Sequence, residues 1–221
     1  MNPEGLSKVN SLLKKFKNLA GKLSLFDKKE IEPSRIKILS IGWFVKNDIL
    51  KLLRFRGNIY IVAYDPCAEV VREYKSLVSP RLEVECEAVE GQSGMARLFV
   101  DPANRGATST RRGTSDNTIE VPAVTFSEII AKYGEFDFVY INCEGSEIAI
   151  LLTTPVETLL QCAVIFVQFH KFIGLVSNTD IRNCINKLEA YFDPELIEAN
   201  YPNYKFVRKG HKEKIKFQFI S

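Results

Sequence analysis

Glycine is missing where a phosphate-binding turn would need it. No G-x-G-x-x-G spacing occurs in the 221 residues, and that spacing is what lets a backbone approach a pyrophosphate. After the first apolar run only Gly42 is present, followed by Trp43, Phe44, Val45 and Lys46 where small residues would be required. Cradling of NAD or FAD is therefore disfavoured, and an NAD-type oxidoreductase is left as a weak alternative. Paired cysteines are missing as well. The five (Cys67, Cys86, Cys143, Cys162, Cys184) are odd in number, scattered and without a C-x-x-C pair, which speaks against a zinc site or a disulfide framework and for a reducing compartment. No apolar run approaches the ~18 residues that span a bilayer, and the N-terminus has no signal-type apolar core, so a cytoplasmic location is expected. Charge of one sign is scarce too. The formal net charge is +3, and residues 31–221 sum to −1, which argues against a nucleic-acid partner.

What remains is the composition of one soluble domain. Hydrophobic residues make up 46% and charged residues 26% of the chain, and the length suits a single α/β domain with a full core. Residues 1–32 stand apart as a basic amphipathic helix and linker, with Leu6, Val9, Leu13, Phe16 and Leu23 on one face and lysines between them. Such a helix either docks on the body or contacts a membrane surface or a protein partner. Residues 33–221 form the body. Its strands are expected at Ile36–Ile41, Ile59–Ala63, Leu82–Val89, Phe136–Asn142 and Ala163–His170, with helical patterns between them, which signals a parallel, doubly wound sheet. Met95–Val100 reads as an inserted strand. Thr125 caps a helix with Glu128 at the capping-box position, and Asn178 or Thr179 caps another. Tyr204–Val207 and Ile215–Ile220 are expected as two antiparallel closing strands. From Asp101 to Thr118 no period is visible, and this loop, with Arg111 and Arg112, is either an active-site lid or disordered.

Phe136–Glu147 organises the rest. An apolar run, Phe-Asp-Phe-Val-Tyr-Ile, gives way abruptly to Asn142, Glu144, Gly145, Ser146 and Glu147. Open α/β sheets bind ligands outside the carboxyl ends of such strands. If the sheet is parallel, Ser40–Trp43, Asp65, Glu87–Ala88 and Asn142–Glu144 converge there. Asp65 lies 23 positions after Gly42, where a carboxylate can accept both hydroxyls of a ribose; it could equally start the following helix. His170 is a candidate general base with Glu144 as competitor or orienter. A buried structural histidine and a helix-capping Glu144 are the alternatives. Asn142, Glu144 and His170 make a weak set for Mg²⁺, and no metal is expected.

Several of these segments resemble the FkbM family of S-adenosylmethionine-dependent methyltransferases. They are Ile36–Gly42, Val62–Glu69, Glu120–Ile130, Asp137–Leu151 with its Asn-Cys-Glu-Gly-Ser-Glu, and Val167–His170 (Val-Gln-Phe-His). The resemblance implies a class I methyltransferase fold, Rossmann-like, with a mostly parallel sheet. It also implies S-adenosyl-L-methionine as cofactor and methyl transfer to a hydroxyl oxygen of a sugar, glycan or small metabolite. By the same resemblance Ser40, Gly42 and Trp43 would flank the methionine part, Asp65 the ribose, and Glu87 and Ala88 the adenine. Asn142 and Glu144 would lie beneath the sulfonium and the acceptor. Ser40 departs from the family's usual Asp, and Lys46 or Asn47 stands where a second Gly is usual. A non-catalytic methyltransferase-like docking module is the runner-up reading.

Overall fold

The computed structural model describes residues 36–42, 53, 58–77, 79–100, 117–200 and 202–211. The expected N-terminal helix, Trp43 with the rest of the first loop, the Arg111–Arg112 segment and the strand expected over 215–220 lie outside the described residues. In chain order the elements are β1 (Ile36–Gly42), β2 (Ile59–Tyr64), α1 (Ala68–Lys75), β3 (Leu82–Glu85), β4 (Ala88–Glu90), β5 (Gly94–Phe99) and β6 (Thr118–Thr125). There follow α2 (Phe126–Tyr133), β7 (Phe136–Asn142), α3 (Glu147–Thr153), α4 (Val156–Leu159), β8 (Cys162–Gln168), a 3₁₀ turn (His170–Ile173), α5 (Asn178–Leu188), β9 (Phe192–Glu198) and β10 (Asn203–Arg208).

Seven strands form one sheet in the order β3-β2-β1-β7-β8-β10-β9. β1 pairs in parallel with β2 and β7, and β7 in parallel with β8. β10 runs antiparallel to both β8 and β9, so it is the reversed strand near one edge. The order turns back at β1, which puts the crevice of such a sheet beyond the ends of β1 and β7. Apolar runs explain the centre: every residue of β8 is buried, as are six of seven in β7, the pattern of strands covered on both faces.

Side-chain alternation splits the sheet into two cores. Leu39, Val62, Val139, Ile141, Ile165 and Val167 face α2, α3 and α5 through Ile129, Ile148, Ile181 and Leu188. Ile38, Ile61, Ala63, Phe138, Tyr140 and Phe166 face the other way, against Val71 and Tyr74 of α1. Each fully buried side chain of this kind contributes roughly 1.5–3 kcal/mol.

Two expectations are corrected, and one strand is added. The strand expected over Leu82–Val89 breaks after Glu85. Tyr64 and Glu85 are the last pair on the β2 side, and Pro66 has no N–H with which to extend the ladder. The chain then enters a second sheet, β4-β6-β5, whose core is Ala88, Leu98, Val121 and Ala123. β10 pairs antiparallel with β9, a strand that Pro194 obscured in the sequence; Pro is tolerated there because β9 is the edge of the described sheet. The cap of α5 is Ser177, which forms a capping box with Asp180. The Thr125–Glu128 box on α2 is present as expected.

Candidate functional site

The sheet register places the expected residues in a row. Ser40 is level with Ala63 and Tyr140, and Gly42 with Asn142. Asp65 follows Tyr64, the partner of Ile41. Asp65, Gly42 and Asn142 therefore stand side by side on adjacent strands, and about 10 Å separates the outer two at the usual strand spacing. By alternation, Ser40, Asp65 and Asn142 lie on the face of α1.

Each member of the row has a distinct local chemistry. Ser40 is fully buried and its hydroxyl has no hydrogen-bond partner among the described residues. Gly42 has φ +82°, and a Cβ there would sit 1.9 Å from the carbonyl oxygen of Asn142, so only glycine fits this strand end. Asp65 is 6% exposed. Its Oδ1 accepts the N–H of Cys67 at 2.8 Å, and its other oxygen has no partner among the described residues. Burial pushes its pKa up to about 6, and the one N–H it accepts, from Cys67, offsets this only in part. Asp65 thus braces the turn into α1 with one oxygen; the residue at the N-cap is Cys67. Asn142 donates from its amide to the Tyr140 hydroxyl at 3.0 Å. Glu87 is half-buried between β3 and β4, whereas Ala88 sits in the core of the small sheet and offers a ligand little beyond its backbone.

A second polar cluster lies on the α3 side of the same strand end. Glu147, the first residue of α3, is fully buried. Its carboxylate accepts the N–H groups of Cys143 at 3.0 Å and Gly145 at 2.9 Å, folding the turn after β7 back on itself. The same carboxylate is 2.6 Å from Nδ1 of the fully buried His170. Nε2 of His170 is 3.2 Å from Oε1 of Glu144. Ser146 donates to Glu90, tying this turn to the small sheet. Glu144 adopts φ +52°, an uncommon conformation for a non-glycine residue that is held by its surroundings.

Burial alone would lower the pKa of His170, but the carboxylates of Glu144 and Glu147 outweigh it and raise the value to about 9. At neutral pH the ring is an imidazolium clamped between two carboxylates. His170, expected either as a general base or as a buried structural histidine, has both ring nitrogens facing carboxylates, a setting that favours keeping its proton near pH 7. Glu144 does not cap α3, whose N-cap is Ser146. Glu144 keeps 22% side-chain exposure and becomes the carboxylate that His170 orients. Sequence reasoning did not single out Glu147. The only available signal was an acidic residue three positions after Glu144 at a helix start. Among the described residues no cluster of His, Cys, Asp and Glu is arranged to hold a metal ion.

The strand order with one reversed strand near the edge, and polar groups gathered at the β1/β7 turning point, defines a Rossmann-like methyltransferase fold. A family model described as the methyltransferase FkbM domain matches residues 81–196, just over half of the sequence, and the chain belongs to that family. The matched segment starts at β3, so Ser40, Gly42 and Asp65 lie before it. Among solved structures, a Corynebacterium glutamicum protein superposes with TM-score 0.50 at 9% identity over 90% of this chain and 82% of that one. The Methanococcus jannaschii fibrillarin pre-rRNA processing protein gives 0.46 at 12% identity over 83% and 71%. The human methyltransferase 10 domain containing protein gives 0.46 at 8% over 90% and 82%. Identities this low speak to the fold alone. A comparison with curated proteins gives no match. No helix among the described residues is long and apolar enough to cross a membrane.

Proposed function

We propose that this FkbM-family chain transfers a methyl group from S-adenosyl-L-methionine to a hydroxyl oxygen of a sugar, glycan or small hydroxylated metabolite. The observation that carries the donor assignment is the row at the β2, β1 and β7 ends. It combines a half-engaged buried carboxylate (Asp65) and a buried hydroxyl with no partner among the described residues (Ser40), on either side of Gly42, whose missing Cβ lets the ends of β1 and β7 close together. These fit the donor's parts: a ribose diol donates to Asp65, and the methionine end lies along Ser40 and Gly42. The row holds no cation among its described members, so nothing in it repels a sulfonium.

When bound, the donor supplies an electrophilic methyl group. The chain's own residues supply position and a proton acceptor. Asn142 fixes the floor between donor and acceptor, held by Tyr140. Glu144 takes the proton from the acceptor hydroxyl as the oxygen acquires the methyl. His170 stays protonated, holds Glu144 in its strained backbone geometry and passes no proton to or from the acceptor. Alignment supplies much of the rate, and the base adds roughly 10²–10⁴-fold.

The test is mass spectrometry for a product heavier by one methyl group, across a panel of hydroxylated acceptors. Glu144→Gln is expected to lower kcat by about 10²–10⁴-fold while S-adenosylhomocysteine affinity holds. A variant as active as the parent removes Glu144 from the proton step. A chain that binds no S-adenosylhomocysteine is a docking module instead.

A further inference from the structure

Two more buried amides lie on the face that carries Asn142 and Asp65, beyond the donor row. Gln168 ends β8 and Asn203 begins β10, and the two are directly paired, so their side chains project to the same side of the sheet. Val164 and Phe166, which alternate with Gln168, belong to the core on the α1 face together with Tyr140 and Ala63. Gln168 is therefore on that face, one residue beyond the Ile141–Val167 pair and next to Asn142. Both amides are 8% exposed. Among the described residues no hydrogen bond engages either side chain, and Oδ1 of Asn203 is enclosed without a partner. Lys205, next on the same face of β10, is occupied by Glu195 at 2.6 Å.

An amide buried without a partner destabilises a fold relative to an apolar side chain of similar size. Here two such amides sit at neighbouring strand ends, where sheets of this topology bind ligands. We propose that Gln168 and Asn203 form an acceptor subsite that recognises two non-reacting hydroxyls of an uncharged polyol or sugar ring. The proposal rests on the methyltransferase reading above. Each amide offers an acceptor oxygen and N–H donors, matching a hydroxyl, which both donates and accepts. A carboxylate or phosphate would instead face the lone pairs of Asn203 Oδ1, with no cation among the described members of the row to compensate. At the usual strand spacing Gln168 is about 5 Å and Asn203 about 10 Å from Asn142, so one ring can present its reacting hydroxyl at Glu144 and its others here.

Saturation-transfer NMR on the full chain saturated with S-adenosylhomocysteine tests this. The probes are the methyl glycosides of glucose, galactose and mannose, with methyl glucuronide as the charged counterpart. At least one neutral glycoside is expected to show transfer and the glucuronide none. Asn203→Leu and Gln168→Met, each checked for folding by circular dichroism, are expected to cut the signal at least fivefold while S-adenosylhomocysteine affinity stays within twofold. Silence from every neutral glycoside on the S-adenosylhomocysteine-bound protein, equal transfer to the glucuronide, or wild-type signal in both folded variants overturns the subsite and leaves the donor site standing. Failure of S-adenosylhomocysteine to bind overturns the methyltransferase reading and this subsite with it. The glycoside–glucuronide comparison on the parent protein decides the matter even where a variant does not fold.

Discussion

Two polar clusters flank the end of β7, and they differ in how far their hydrogen bonds are closed. On the α3 side, Glu147 bonds to His170 Nδ1 and to two backbone N–H groups, Ser146 bonds to Glu90, and Nε2 of His170 faces the Glu144 carboxylate across an ion pair of 3.2 Å. On the α1 side, Ser40, Asp65, Gln168 and Asn203 are equally buried, yet each keeps a polar group with no partner among the described residues. Burial of polar groups means something different in the two places. A closed network fixes the shape of the turn and stabilises the fold; an open row destabilises the empty protein and stabilises a complex. Variants in the first cluster should therefore register mainly in folding, and variants in the second mainly in binding.

The largest separation is expected at Glu147. Replacing it with Ala leaves the His170 imidazolium buried with one carboxylate lost and two backbone donors unpaired, which costs roughly 3–5 kcal/mol. Urea denaturation measures it, and a loss below about 1 kcal/mol would place Glu147 outside the structural network.

Next is the pH dependence set by His170. Its folded pKa of about 9 lies above the ordinary 6.5. The contribution, of order 3 kcal/mol from the size of that displacement, is fully present below pH 6.5 and is lost as pH rises through 9. Asp65 acts in the same sense lower down: its pKa is raised from 3.8 to about 6, so stability also falls as pH rises between those values. Denaturation midpoints at pH 6.5 and 9.5 check the histidine, and His170→Asn should flatten the upper limb. Equal flattening by Asp65→Asn would point to another group.

The smallest effect sharpens the contrast most. Ser40→Ala removes a buried hydroxyl that has no partner among the described residues, so folding should be unchanged or stabilised by up to about 1 kcal/mol. S-adenosylhomocysteine should meanwhile bind more weakly by roughly 0.5–1.5 kcal/mol. Loss of stability with intact binding would reverse the roles assigned to the two clusters.

The centre of the fold and the alignment of polar residues at its strand ends were legible because each depended on local pattern. Apolar runs marked β1, β2, β7 and β8, and abrupt polarity at their ends marked Ser40, Asp65 and Asn142. What could not be read depended on long-range pairing. Pro122 and Pro194 hid β6 and β9, since nothing local says whether a proline lies opposite a partner or at an edge. His170 looked like a base because its two carboxylates come from elements 23 or more residues away in sequence, and only the folded chain brings both to the ring. Gln168 and Asn203 come from strands separated by a helix and an edge strand. Their pairing, and hence the amide subsite, exists only in the register of β8 and β10.

The account stands most directly on Asp65. Calorimetric titration of S-adenosylhomocysteine into the parent protein and Asp65→Ala, at pH 7.5, should show saturable binding to the parent. Binding to the variant should be weaker by roughly 1.5–3 kcal/mol, the range for hydrogen bonds to a charged group, with unchanged or higher folding stability. Equal affinity in the two proteins, or no binding to the parent, would contradict the assignment of the open row to the methyl donor.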